Sequence, residues 1–107
     1  MMKLGIIMET NDTEKVWNGL RFAVTALKQG HEVKLFLMGA GVEIESLGDA
    51  HFDVPNWLEQ FHTAGGELLA CGTCIKSRQM QDNTACPIST MRDCVEVVTW
   101  ADKTVTF

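Results

Sequence analysis

Two short apolar runs, Lys3–Met8 (KLGIIM) and Glu32–Met38 (EVKLFLM), flank a helical stretch, and this arrangement constrains the fold more than any other feature of the chain. The first run has no polar alternation, as expected for a strand covered on both faces, and the second reads as another strand. Between them Val16, Leu20, Ala23, Val24 and Leu27 recur at helical spacing. Glu9–Asp12 supplies turn and capping chemistry before this helix. Asp12 and Glu14 at its start and Lys28 at its end carry the signs that the helix dipole favours, and Gly30 follows as a C-terminal stop. A strand, a helical crossover and a second strand favour a parallel pair.

The rest of the chain repeats the alternation. Gly39–Val54 is polar, glycine-containing and aperiodic, and reads as a loop with a short helical turn where the second strand ends. Pro55 opens a helix to about Thr63, with Trp57, Leu58 and Phe61 as apolar contacts and Gly65-Gly66 as its stop. Glu67–Cys71 is a third strand, Gly72–Met80 a turn and short helix, Gln81–Cys86 a loop, and Pro87–Thr90 a brief edge strand. A last helix starts near Ser89 or Thr90, with Met91, Cys94, Val95, Val98 and Ala101 assigned to one stripe, and Lys103–Phe107 closes the chain as a strand. The 107 residues, 46% of them apolar, suffice for one core. The expected architecture is a single α/β domain over residues 1–107, a three-layer sandwich around a mostly parallel sheet of four to five strands.

Charge and composition exclude several partners. Nine Lys and Arg against 14 Asp and Glu leave a net charge of −5, with no basic run, which argues against nucleic-acid binding. No apolar stretch approaches the roughly 20 residues that cross a bilayer. Glu9 and Asp12 come too early for a secretory signal, so the expected location is the cytoplasm. In that compartment four cysteines read as working thiols, metal ligands or core filler and not as structural disulfides.

In an open parallel sheet, ligands bind beyond the carboxyl ends of the strands. That rule brings together Glu9–Asp12, the Gly39–Val54 loop and Cys71-Gly72-Thr73-Cys74. Cys71 ends a strand and the next residues begin a helix, a setting that favours thiolate over thiol. Gly72 leaves backbone and space beside the sulfur, Thr73 continues the turn, and Lys76 and Arg78 add positive charge in an otherwise acidic chain. Cys71 is thus the candidate nucleophile and Gly72, Thr73, Lys76 and Arg78 its candidate thiolate stabilisers. Cys74 either resolves Cys71 as a CxxC partner or faces the core. Cys94 sits on the apolar stripe of the last helix, and Cys86 lies in a loop before a proline.

Other constellations are weaker. Cys71-x2-Cys74 is half of a zinc site, but Cys86 and Cys94 are too widely spaced to complete it, and His31, His51 and His62 are scattered, so no metal is expected. Gly39-Ala40-Gly41 lacks the third glycine and helix of a dinucleotide fingerprint. His51, between Asp49 and Asp53, is a candidate acid–base group beside Cys71, against the alternative of a solvated polar loop. Trp17, Trp57 and Trp100 suit either the core or subunit contacts.

Three segments carry a family resemblance: the opening KLGIIM strand with its helix and GHEVKLFLMGAGV, then GGELLACGTCIKSR, then MRDCVEVVTWADKTVTF. Over nearly its whole length the chain resembles the DsrE/DsrF-like family, which includes the TusD-type subunits of the bacterial sulfur relay. The resemblance implies a flavodoxin-like fold, assembly as a homo-oligomer (trimer or hexamer), and sulfur carried as a persulfide on a cysteine whose matching position is Cys71. It further implies donor and acceptor proteins as partners and requires no cofactor. Cys74 has no counterpart in the TusD-type pattern, and a second thiol there could release the carried sulfur as sulfide by closing a disulfide. The expected function is that of a small sulfurtransferase-type carrier, which holds sulfur on Cys71 and passes it to an acceptor thiol. Its rivals are a Cys71/Cys74 thiol–disulfide oxidoreductase and a non-catalytic oligomeric binding module.

Overall fold

The computed structural model describes residues 1–80 and 88–107. Its elements, in chain order, are β1 (Lys3–Met8), α1 (Thr13–Lys28), β2 (Glu32–Leu37), a 3-10 helix (Gly39–Ser46), α2 (Val54–Thr63), β3 (Glu67–Cys71), α3 (Gly72–Ser77), β4 (Ile88–Ser89), α4 (Met91–Trp100) and β5 (Lys103–Thr106). The first half of the stretch read as a loop with a short helical turn after β2 is therefore a 3-10 helix. Its apolar residues are too few to show a helical period, yet Val42 and Ile44 are buried. The expected loop Gln81–Cys86, with Cys86 itself and Pro87, lies outside the described residues.

Among the described residues all four strand pairings are parallel, in the order β4-β3-β2-β1-β5. This is the flavodoxin-like three-layer arrangement. Strand alternation puts Ile6, Met8, Leu35, Leu37, Leu68 and Ala70 on one face of the sheet. That face meets α1, where Gly19 leaves room for Met8: an added methyl would come within 2.6 Å of its Cε. Ile7, Phe36, Leu69 and Cys71 belong to the opposite face, where Gly5 admits Val97 and Ala101 of α4.

Local chemistry fixes the helix ends. Asp12 caps α1 through the Lys15 N–H at 3.0 Å, and Asp53 caps α2 through the Asn56 N–H at 3.1 Å. Both helices finish in the same glycine-dependent motif. The Gly30 N–H donates to the Leu27 carbonyl and the His31 N–H to that of Ala26; Gly65 and Gly66 do the same with His62 and Phe61. Gly30 and Gly65 have φ of +90° and +94°, a left-handed backbone that a side chain would disfavour. These two turns deliver the chain into β2 and β3, and so determine where β3 ends.

The last helix corrects one expectation. Cys94 and Val97 are its buried residues, whereas Met91, Val95 and Val98 face solvent. Residues 91, 95 and 98 satisfy helical spacing as well as 94, 97 and 101 do, so the sequence contains two overlapping apolar stripes. Only contact with the sheet distinguishes them.

The sheet reverses direction at β1, since the chain steps from β1 through β4 to one side and returns with β5 to the other. Such a switch point often forms a ligand crevice. Here Phe107 fills it: its N–H donates to the Ile7 carbonyl at 2.8 Å, its carbonyl accepts from the Glu9 N–H at 2.9 Å, and its ring meets Phe22. The candidate chemistry lies two strands away, at the end of β3.

Candidate functional site

Three segments meet at the carboxyl ends of β1, β2 and β3. The Asn11 side-chain amide donates to Glu43 at 3.5 Å, and Arg78 Nε donates to the same carboxylate at 2.8 Å. The backbone N–H of Gly39 donates to Cys74 Sγ at 3.2 Å. The loop after β1, the 3-10 helix after β2 and α3 after β3 are thus tied together, as the parallel-sheet rule requires.

Cys71 is the last residue of β3, paired with Ser89 of β4, and is only 4% exposed. The expected open strand tip is instead covered. Gly72 explains part of this. A methyl group on it would stand 2.7 Å from Ile88 Cγ2 and 3.1 Å from the Ser89 carbonyl oxygen, so its missing side chain admits β4 and leaves no vacant space for a substrate.

Cys74 lies in the first turn of α3, three residues after Cys71, and is half-buried. Burial pushes its thiol up, and the neighbouring Cys71 pushes the same way; the Gly39 N–H and the positive charge of Arg78 oppose them. Burial likewise raises the Cys94 thiol, with smaller contributions from the charges on Cys71 and Glu9. A third sulfur therefore stands near the pair, on α4. Among the described residues, no three His, Cys, Asp or Glu side chains converge to hold a metal ion.

These raised thiols have a consequence for pH. Above the ordinary thiol range the unfolded chain loses these protons while the folded chain keeps them, so the folded state binds more protons there. The thiols' contribution to stability should stay level below that range and fall as pH rises through it. Denaturant midpoints measured across the range should show the decline, with a shallower slope for Cys74→Ser.

The remaining candidates separate. Thr73 and Lys76 are exposed on α3. Arg78 is committed to Glu43, whose carboxyl it holds below the usual carboxylate range, and its Nη1 reaches the Cys74 carbonyl at 3.4 Å. An open cleft of about 630 Å³ borders this ion pair, lined by Glu43, Glu45, Ser46, Arg78 and Met80. His51 does not join the site. Its backbone N–H and that of Phe52 both donate to Asp49 at 2.8 Å, its ring meets Phe52 edge-on, and Phe52 packs on Trp17. Asp49 organises the turn and Asp53 caps α2, so these polar residues serve local structure. None of the described hydrogen bonds or ring contacts connects them to the thiols.

Sequence reasoning missed Gly39 and Glu43. The Gly-Ala-Gly after β2 was the available signal for the first, since Gly39 has φ +55° and so can turn its N–H toward Cys74. Glu43 had no signal beyond its charge.

The DsrE/DsrF-like family model matches residues 2–107. The chain belongs to the DsrE/DsrF-like family. An uncharacterized protein of Methanopyrus kandleri is 38% identical over 100 residues, spanning 88% of this chain and 83% of that one. An uncharacterized protein of Methanocaldococcus jannaschii is 35% identical over 100 residues, 88% of each chain. The ychN protein of E. coli has the same fold, with a TM-score of 0.87 at 23% identity and full coverage of both chains. A conserved protein of unknown function from Bacteroides thetaiotaomicron gives 0.78 at 18% identity, covering 98% of this chain and 95% of its own.

Within this DsrE-like chain the end of α3 carries local strain. The Gln79 N–H donates to the Lys76 carbonyl and the Met80 N–H to that of Ile75, the pattern that Gly30 and Gly65 serve elsewhere. Gln79, however, has φ +54°. A left-handed residue other than glycine costs roughly 1–2 kcal/mol, and glycine loses some of that gain through its own freedom. Gln79→Gly should therefore stabilise the protein by about 0.5–1 kcal/mol, read as a higher urea midpoint at constant m-value.

Proposed function

We propose that the protein is a sulfur carrier of the sulfurtransferase type, holding sulfane sulfur as a persulfide on Cys71. The observation that carries this reading is the position of Cys71 at the carboxyl end of β3, beside a second thiol, in a DsrE-like chain. The relay subunits that the sequence resembles carry sulfur at the matching position. In the loading step, Cys71 thiolate attacks the outer sulfur of a donor persulfide, and the donor leaves as its thiolate. The rate of such exchange depends on thiolate fraction, leaving group and access. Cys71 is the chosen sulfur because it ends β3, the position at which those relay subunits carry theirs. With Cys71 only 4% exposed, access favours a small terminal sulfur over a bulky disulfide.

The assembly belongs to the same proposal. Ile88 on β4 and Met91, Val95 and Val98 on α4 are exposed apolar residues. Contact with further copies of the chain would remove this surface from water. Sedimentation should then show an oligomer, cytoplasmic donor and acceptor proteins being its proposed partners. No helix among the described residues is long and apolar enough to cross a membrane.

The test of carriage uses Cys74→Ser, which isolates Cys71 from its neighbouring thiol. After incubation with a small organic persulfide, peptide mass analysis should find one added sulfur atom on Cys71. No adduct there, on a chain that remains folded, would overturn the carrier reading.

A further inference from the structure

We propose that Cys74 resolves the Cys71 persulfide, releasing hydrosulfide and closing a Cys71–Cys74 disulfide, which makes the protein a persulfide reductase as well as a carrier. This rests on the carrier reading above and adds a second reacting group, a product and a class of co-reactant.

The geometry supports it in three ways. Cys71 immediately precedes α3 and Cys74 stands three residues on, a spacing at which side chains meet at a helix start. The same spacing at α4 brings Thr90 Oγ1 to 3.1 Å from Asp93 Oδ2, and at α3 it sets the two cysteines at the corresponding positions. Next, Cys74 Sγ already accepts the Gly39 N–H at 3.2 Å, so a donor is in place for negative charge on that sulfur. Finally, Cys71 is 4% exposed. The inner sulfur of a persulfide on it is shielded from thiols in solution, whereas Cys74 approaches from within the fold.

The step balances without an outside oxidant. Cys74 loses its proton to solvent, and its thiolate attacks Cys71 Sγ. The new bond joins the two cysteine sulfurs, the bond from Cys71 Sγ to the terminal sulfur breaks, and that sulfur leaves with the electron pair as hydrosulfide. The sulfane sulfur is reduced by two electrons and the cysteine pair is oxidised by two. A dithiol reductant then reopens the disulfide by ordinary exchange. The Gly39 N–H must give up the Cys74 thiolate as the disulfide forms, so the start of the 3-10 helix senses the redox state of the pair.

The experiment compares the full-length reduced chain with Cys74→Ser, each given one equivalent of a small organic persulfide, with free sulfide and peptide masses followed over time. The native chain should release close to one sulfide per sulfur accepted and yield a Cys71–Cys74 disulfide that a dithiol reverses. Cys74→Ser should retain the sulfur on Cys71, losing it at least about tenfold more slowly. Cys74→Ala should match it, showing that the serine hydroxyl is not responsible. If the native chain loads Cys71 but keeps the sulfur as long as the variants do, this proposal fails and the carrier reading stands. If neither variant accepts sulfur while remaining folded, both fail together.

Discussion

Replacing Gly41 with alanine is expected to cost about 3 kcal/mol, the upper end of what forced overpacking usually produces. The added methyl would overlap the Met8 carbonyl oxygen and stand 2.9 Å from its carbon. Both obstacles are backbone atoms of β1, so no change of rotamer relieves them and the 3-10 helix must move. Gly39, two residues earlier, would carry its N–H away from Cys74 Sγ. Urea denaturation should show the lost stability. Alkylation of Cys74 should separately show its altered surroundings under conditions where the chain remains folded.

The second large effect concerns the turn that aims β3. Phe61 is fully buried in α2, and an added methyl on Gly66 would enter its ring. Phe61→Ala should cost about 3–5 kcal/mol, the usual range for deleting a buried aromatic ring. Gly66→Ala should also be costly in the native background but much cheaper once the ring is gone, because the space is then free. A double-mutant cycle should therefore give a coupling of about 1–3 kcal/mol, in the sense that the pair costs less than the sum. Additive effects would mean that Gly66 is required for its backbone alone and not for closeness to Phe61.

The strands and long helices were legible because their signals are local and agree. Asp12, Lys28 and Gly30 frame α1, and Gly65-Gly66 ends α2 just before β3. Even the terminal strand, with little apolar content, forms as expected, and the structure pairs it with β1. Where two readings satisfied the same local rule, sequence could not choose. Val95 and Cys94 both suit an inward stripe on α4, and only the packing against Gly5 and its neighbours shows which one faces the sheet. Gly72 illustrates a different limit. A missing side chain signals close approach, but not whether a ligand or another strand approaches, and here it is β4.

The site was legible in its segments and less so in its contacts. CGTC at a strand end located both thiols, and the parallel-sheet rule correctly grouped the loops around them. The backbone N–H of Gly39 and the Glu43–Arg78 pair depend on how the 3-10 helix seats against β1 and α3, which no spacing encodes. His51 shows the converse. Flanking aspartates resemble an acid–base cluster, yet the same residues are ordinary turn and cap formers, and they take those roles here.

Transfer of isotopically labelled sulfane sulfur tests the central claim most directly. A labelled persulfide donor is mixed with the native chain, Cys71→Ser and Cys74→Ser, and the label is followed onto protein and then onto an acceptor thiol or into free sulfide. Label should appear on Cys71 in the chains that retain it and be absent from Cys71→Ser. Equal labelling of Cys71→Ser at a native rate would contradict the account, because sulfur would then reach the protein without the residue on which the mechanism depends.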